Sequence, residues 1–378
     1  MAKPINRTLL NNVLIAVSAL LIVLLSTTAP KQEDVALPNA PKLSIDIWQT
    51  DSGARVWFSP YLSDVVHIQI WFMAGYGFDG EQEGVSYLLA QDLQYSFSQQ
   101  GISAQVDHGP DFIKVALQLS ITPHVLNQEL AKVQQILYRP ELAASQLSQY
   151  KQTTAKASDV LWAKAFAGHQ YEGPQQGNEQ TLQDISRANI QQFARLYLHP
   201  QRAYAAVSAD LIRPAAQVIM EKLLPPRNIQ ASNEQVLFDE KLAQATLDNA
   251  HIYRLPGSLQ LGNMIDAQML ALVLNAVPRQ SAQVTYAASA NALLIQNSLY
   301  ADKAMEEWLE SGIMPQLKRK MAKSIINQAQ TAAQLSYFLA KHNAYGHSVL
   351  AMEDSLKQIE KWDVDYFWRR SRQWLQIQ

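Results

Sequence analysis

The sequence predicts an α+β protein in which helices pack on antiparallel-rich mixed sheets. Short runs with the period of strands occur in pairs around turns, and longer runs with the period of helices follow them. The same plan recurs in a shorter form toward the C-terminus. At 378 residues, the chain is long enough for two compact units. We therefore expect two related half-domains, the second truncated, preceded by an N-terminal membrane helix.

The first half begins with strands. LSIDIWQT and ARVWFSP flank the turn DSG, and the apolar run VVHIQIWFMAG ends at the glycine-rich GYGFDGEQEG. Residues 83–100 change to helical spacing with one apolar face, and 102–120 predicts a hairpin that turns at DHGPD. A strand is expected at RAYAAVSAD. Further helices are expected at 122–140, 141–158, 159–167, 179–198 and 212–224.

The second half repeats the order of strand, helix, strand pair and helices. AHIYRLPG predicts a strand, 262–276 a helix, AQVTYAAS and NALLIQNS a strand pair, and the remainder helices. Proline and polar residues mark the connecting segments. The predicted divisions are a signal anchor or signal peptide (1–28), a tether (29–43), an N-terminal domain (44–224), a linker (225–248) and a shortened C-terminal domain (249–378).

The N-terminus has the pattern of a secretory leader. Lys3 and Arg7 precede an apolar run at 13–25 that only Ser18 interrupts. Pro30 makes the preceding TTA a poor cleavage site, which favours an uncleaved anchor. The positive-inside rule then predicts an inner-membrane anchor with the bulk of the chain in the periplasm, whereas cleavage would release the chain there. The net charge of −2 argues against nucleic acid as a partner, and the chain has no cysteine.

Several of these blocks, in this order, resemble the pitrilysin/insulinase family of zinc metallopeptidases, the inverzincins. DSGARVWFSP is similar to the family's opening hairpin, and VHIQIWFMAGYGFDGEQEGVSYLLAQDL to its strand, turn and metal-binding helix. FAGHQYEGPQQGNEQTLQD is similar to the block after the catalytic helices, and HIYRLPG to the start of the second half-domain. The resemblance covers residues 44–225 well and 249–378 loosely. It implies a pitrilysin/insulinase-like fold.

The family's chemistry depends on H-x-x-E-H, in which two histidines hold zinc and the glutamate activates the bound water. The matching positions are Tyr87, Ala90 and Gln91. A neutral phenol and a carboxamide bind zinc poorly, and alanine accepts no proton. The third ligand would be a downstream glutamate, but 142–166 has none and only Asp159 as an acid. The resemblance therefore implies a pseudopeptidase with no catalytic residue, no metal and no other cofactor.

A retained scaffold with a replaced motif is compatible with three functions. The first is a non-catalytic protein of the cell envelope that partners an active zinc peptidase of the same family, in a hetero-oligomer that encloses a chamber. The second is a stand-alone envelope protein that binds a peptide ligand or serves as a scaffold. The third is a zinc-dependent endopeptidase with atypical ligands.

Other candidate side chains have structural interpretations. We expect Glu81 and Glu83 to stabilise the start of the following helix, and His169 to be a loop residue. His342 and His347 are expected at a solvated helix end. The C-terminal run YFWRRSRQW predicts an amphipathic helix that packs on the core, with a partner or anionic lipid as the alternative contact.

Overall fold

The structure is a computed structural model. It describes residues 36–140, 147, 149, 151, 157–235, 243–247, 250–255, 259–278, 283–287, 292–296 and 303–375. The predicted leader at 1–28 and most of the predicted helix at 141–158 lie outside these residues. None of the helices within them combines the length and the hydrophobicity that crossing a bilayer requires.

The first sheet has six strands, which are β1 (Asp46–Gln49), β2 (Arg55–Pro60), β3 (Val65–Phe72), β4 (Ser103–His108), β5 (Ile113–Ser120) and β6 (Ala203–Ala209). Their order across the sheet is β1-β2-β6-β3-β5-β4. Neighbouring strands are antiparallel except β2 and β6, which are parallel. The strands and the hairpin predicted for this half are confirmed.

Helices connect and follow these strands. They are α1 (Val85–Gln99), α2 (Pro123–Tyr138), α3 (Ala157–Ala165), α4 (Glu179–Asp184), α5 (Arg187–Tyr197) and α6 (Arg213–Leu223). Four of them, α1, α2, α5 and α6, supply most of the helical side chains in the hydrophobic cluster on one face of the sheet. The predicted apolar face of α1 is confirmed, because all of its members are buried in that cluster: Val85, Leu88, Leu89, Leu93 and Phe97.

The second half has a smaller sheet and more helices. Its strands, in the order β7-β8-β10-β9, are β7 (Ala243–Leu247), β8 (Ala250–Arg254), β9 (Gln283–Ala287) and β10 (Ala292–Gln296), and all described pairs are antiparallel. The helices are α7 (Leu261–Ala276), α8 (Lys303–Trp308), α9 (Met314–Asn327), α10 (Ala332–Ala344), α11 (Ala351–Glu360) and α12 (Val364–Leu375). A π-helical turn, Leu309–Ile313, joins α8 to α9.

The first sheet is buried on both faces. Strand residues alternate between faces, and the set that includes Trp57 and Trp71 belongs to a second hydrophobic cluster built mainly from the helices of the second half. Helix α10 packs on β2, β3 and β6. The side-chain nitrogen of Asn343 donates to the carbonyl oxygens of Arg55 at 3.0 Å and Ala205 at 3.1 Å. The two halves are therefore packed together through the second cluster.

The end of α10 is buried, so the expectation that His342 and His347 lie at a solvated helix end is wrong. The Nδ1 atoms of the two rings are 2.7 Å apart, and Nε2 of His347 donates to the carbonyl oxygen of Leu259 at 2.7 Å. Burial lowers the pKa of both imidazoles, most strongly that of His342. Leu259 is 88 residues from His347 in sequence, so no local pattern indicates this contact.

Two predicted segments differ from the structure, one within the first half and one directly after it. Residues 179–198 form α4 and α5 rather than one helix, because Ile185 is extended and Ser186 begins α5 with a capping box. Strand β7 lies inside the predicted linker 225–248, where it pairs with β8. That linker is therefore shorter than predicted.

The N-terminal segment and the C-terminal helix both pack on the second cluster. The described part of the predicted tether at 29–43 packs on the protein, because Leu37, Ala40 and Leu43 contact this cluster. The predicted packing of the C-terminal run is confirmed: Phe367 and Trp374 of α12 are buried. Arg370 of the same helix lies 2.6 Å from a carboxylate oxygen of Asp266 in α7, and Asp266 is fully buried.

Candidate functional site

The turn between β3 and α1 is held against the β4–β5 hairpin. The backbone nitrogens of Ala74 and Gly75 donate to the carbonyl oxygen of Asp111 at 3.1 Å and 3.0 Å. A Cβ atom at Gly75 would lie 2.2 Å from the carbonyl oxygen of Gly109. Only glycine fits there, since the neighbouring atoms are backbone. The glycine-rich turn therefore fixes where α1 begins relative to the sheet.

Asp79 caps α1 from inside this turn. Its carboxylate accepts hydrogen bonds from the backbone nitrogens of Gly84 at 2.7 Å and Ser86 at 3.1 Å, which the helix leaves unpaired. Burial raises the pKa of Asp79 to about 7. The predicted role of Glu81 and Glu83 is thus filled by Asp79, and Glu83 instead accepts a hydrogen bond from Asn178 at 2.9 Å.

The structure places Tyr87, Ala90 and Gln91 in the first half of α1. Tyr87 and Gln91 are half-buried, and Ala90 is 2% exposed. The ring centroid of Tyr87 lies 6.1 Å from that of His108, and burial raises the pKa of the Tyr87 phenol. The phenol therefore stays protonated at neutral pH. These three side chains offer a hydroxyl, a methyl group and a carboxamide.

Ser86 and His108 form the closest approach to a nucleophile and a base in this region. Their Oγ and Nε2 atoms are 2.8 Å apart. Burial lowers the pKa of His108 to about 3, so the imidazole is neutral. Ser86 is 0% exposed, so its hydroxyl cannot reach a substrate without a rearrangement of α1. The pair joins α1 to β4 and is structural.

Within the described residues, no group of three or more His, Cys, Asp or Glu side chains is arranged to hold a metal ion. The side chain of Asp159, the one acid in the segment expected to supply a third ligand, lies outside the described side chains. His169 follows α3 in a turn, where its Nδ1 accepts a hydrogen bond from the backbone nitrogen of Tyr171 at 3.2 Å. The predicted loop position of His169 is confirmed.

Sequence reasoning missed a buried pair, Asp111 and Tyr171. The Tyr171 hydroxyl donates to Oδ1 of Asp111, whereas the buried Oδ2 accepts no hydrogen bond from the described residues. Burial raises the pKa of Asp111 to about 7. Tyr171 belongs to the GHQY block of the resemblance, but Asp111 lies 60 residues away in the hairpin turn, so only the fold joins them.

Asp111 also lines a cavity that lies between the first sheet and the second half. The cavity has a volume of ≈ 840 Å³ and is bordered by both halves of the chain. The guanidinium of Arg55 lies 5.4 Å from the Tyr204 ring centroid at its wall. Its other walls include Phe112, Tyr345 and His347. A cavity of this size can hold a small molecule or a few residues of a peptide.

Neither a protein-family model nor a curated protein matches this sequence. Solved structures do match it. The inactive domain of an M16 peptidase from Pseudomonas fluorescens has a TM-score of 0.68 at 16% identity, over 88% of this chain and 94% of that domain. A protease from Helicobacter pylori has a TM-score of 0.67 at 13% identity, over 88% and 97%. The first half of the periplasmic protease PqqL from Escherichia coli has a TM-score of 0.64 at 15% identity, over 90% and 91%.

These matches cover both halves of the chain, since neither half alone makes up 88% of it. The chain spans 45% of the length of the complete PqqL protease, which is about one half of that protein. Likeness at these identities is evidence of architecture. The chain therefore has the fold of the M16 peptidases, the pitrilysin/insulinase type that its sequence blocks resemble.

Proposed function

We propose that this chain is a non-catalytic M16-like protein of the cell envelope that serves as a partner or chamber-forming subunit for an active zinc peptidase. One observation carries the proposal: helix α1 follows β3 and the glycine turn, and it contains Tyr87, Ala90 and Gln91, the residues that the sequence resemblance aligns with H-x-x-E-H. The match to a domain described as inactive supports this reading.

The chemistry of the three side chains is the physical reason. Zinc binding is worth on the order of 10 kcal/mol only when ligands can be deprotonated and brought together. The Tyr87 phenol stays protonated, and the carboxamide of Gln91 carries no charge to balance the cation. Ala90 has no group that can take a proton from water. A protein with these residues can still contribute surface and shape to an assembly.

The envelope location is part of the proposal. The predicted leader at 1–28 and the likeness to PqqL, a periplasmic protease, both support it. Similar solved structures also include a chain of complex III2 from Candida albicans and the ferredoxin protease FusC in complex with Arabidopsis ferredoxin. These cases support the idea that the fold forms stable contacts with other proteins.

Affinity purification of the tagged full chain from membranes tests the proposal. We expect an intact zinc peptidase with H-x-x-E-H to co-purify in a fixed ratio, and the isolated chain to hydrolyse no peptide in a chelator-sensitive manner. Recovery of the chain without any metallopeptidase would contradict the partner role. One equivalent of zinc in the purified chain would contradict the loss of the metal site and favour an endopeptidase with atypical ligands.

The ≈ 840 Å³ cavity favours a second candidate, a stand-alone envelope binding protein. Its wall includes Asp111, whose second carboxylate oxygen accepts no hydrogen bond from the described residues. Asp111 is 1% exposed, so a ligand donor would reach that oxygen only after a movement of the cavity wall. Thermal-shift screening of the full chain against a peptide library, with Asp111→Asn as the comparison, tests it. Binding that Asp111→Asn weakens, without any peptidase partner, would favour this second function.

A further inference from the structure

Strand β4 lies at an exposed edge of the first sheet. Among the described strands it pairs with β5 alone, and Ser103, Gln105 and Asp107 along it are exposed. An edge strand presents backbone N–H and C=O groups to which a strand of another chain can add. Lysine and proline commonly prevent such addition, and the strand sequence SAQVDH contains neither. Protection of this edge therefore depends largely on groups outside β4.

The side chain of Gln94 in α1 bonds the free edge of β4. Its Nε2 donates to the carbonyl oxygen of Ala104 at 3.2 Å, and its Oε1 accepts from the backbone nitrogen of Val106 at 2.8 Å. Alternate residues of a strand face the same edge, so His108 faces it as well, and its carbonyl oxygen accepts from Nε2 of Gln175 at 3.3 Å. Each of these three strand residues therefore already uses one of its two outward backbone groups. None of them offers the N–H and C=O pair that an antiparallel neighbour bonds.

The second half has the same arrangement. There α7 precedes β9 as α1 precedes β4, and β9 is the edge strand beside β10. Nδ2 of Asn275 in α7 donates to the carbonyl oxygen of Val284 at 2.6 Å, and its Oδ1 accepts from the backbone nitrogen of the same residue at 2.7 Å. These are the two bonds that a residue of an antiparallel strand would make. In both halves, a carboxamide of the preceding helix thus takes the place of a neighbouring strand.

We propose that Gln94 and Asn275 seal the edges of β4 and β9 against strands of other chains, and that a second copy of this chain pairs with β4 once Gln94 no longer bonds it. An antiparallel edge is self-complementary, so two copies related by a two-fold axis can pair through it. Pairing centred on Gln105 would use the backbone groups of Ala104 and Val106 in both copies, which Gln94 now occupies in part. The inference does not depend on the proposed function. It implies that a partner subunit docks without adding a strand to β4 or β9.

Disulfide trapping in the full chain tests the seal. Gln94→Met keeps the length of the side chain and removes its donor and acceptor, and Gln99→Met is the matched control, because Gln99 is exposed on the same helix. The chain has no cysteine, so Gln105→Cys adds a single thiol to β4. In the proposed pair the two residues 105 are directly opposite, with Cα atoms about 4.5 Å apart, which is within the range of a disulfide. Ser98→Cys, exposed on α1, measures random oxidation.

We expect mild oxidation to link two chains through Gln105→Cys when Gln94→Met is present, but not with Gln99→Met, and not through Ser98→Cys in either protein. A pair of chains with Gln94 intact would have to give up four of its hydrogen bonds, each worth about fivefold in the equilibrium constant, so pairing should differ about 600-fold. Equal yields of linked dimer from Gln94→Met and Gln99→Met would overturn the proposal. Hydrogen exchange of the unmodified chain is a second measurement that needs no variant to fold. A Val106 amide that exchanges as fast as an unbonded one would also overturn the proposal, because Gln94 would then leave the edge open.

Discussion

The Asp79 cap leads to a pH-dependent stability that one substitution should remove. Burial raises the pKa of Asp79 in the folded protein from its ordinary value of 3.8 to about 7. The folded state therefore holds a proton that the unfolded state releases. Stability from this group is full at low pH and is lost as the pH rises through about 7. The Asp79→Asn variant has no such proton.

The size of the effect follows from the two pKa values. Between pH 6 and pH 8, loss of the Asp79 proton lowers the ratio of folded to unfolded protein about tenfold. The wild type therefore loses about 1.4 kcal/mol of unfolding free energy through Asp79. Asparagine also replaces the hydroxyl oxygen of the protonated Asp79 carboxyl, a weak acceptor, with an amino group that cannot accept a hydrogen bond from Gly84 or Ser86, which costs about 1–2 kcal/mol at pH 6. We therefore expect Asp79→Asn to be less stable at pH 6 and to close most of that difference at pH 8.

Urea unfolding of both proteins at pH 6 and pH 8, followed by circular dichroism, measures this. Asp111 has a similar pKa of about 7 and titrates in both proteins, so its contribution cancels in the comparison. Asp64→Asn is the matched control, because Asp64 is exposed and caps no helix. A stability difference between wild type and Asp79→Asn that is the same at both pH values would refute the reasoning.

Three further experiments test the site and the core. Replacing Tyr87 and Gln91 with histidine should give measurable but weak zinc binding by calorimetry, since two imidazoles four residues apart share a helix face. Zinc binding by the wild type would contradict the interpretation that α1 no longer holds a metal. Gly75→Ala should lower the melting temperature, because its Cβ would lie 2.2 Å from a carbonyl oxygen; an unchanged melting temperature would show that the turn can move. Arg370→Ala should cost about 3–5 kcal/mol of unfolding free energy, because it leaves the buried carboxylate of Asp266 without its cation. Asp266→Asn added to Arg370→Ala should restore part of that loss. No restoration would show that packing, not charge, dominates.

Local patterns were sufficient for most of the first half. The alternation of apolar residues in β2 and β3 and the helical spacing from Val85 to Phe97 each point to one buried face, and the structure has these faces. Strand β7 was missed because AQATL has little of the β-branched and aromatic content typical of strands. It becomes a strand through its pairing with β8, which is a tertiary effect.

The candidate site was predictable in its outline but not in its contacts. The position of α1 after a glycine-rich turn follows from the sequence, and so do the residue types at Tyr87, Ala90 and Gln91. The capping role of Asp79 was not predicted because it acts from five residues before Gly84, through a turn that folds back. The contact between Asp111 and Tyr171 spans 60 residues and depends on how the hairpin meets the loop after α3.

The packing of α10 on the first sheet has a consequence for how the molecule folds and comes apart. Trp57 and Trp71 would become exposed to water if the second half left, so neither half should melt independently of the other. A nick within 225–235 would leave two fragments still joined by this interface, and they should unfold in a single cooperative transition. Any motion that this protein makes with a partner is therefore expected to move both halves as one body.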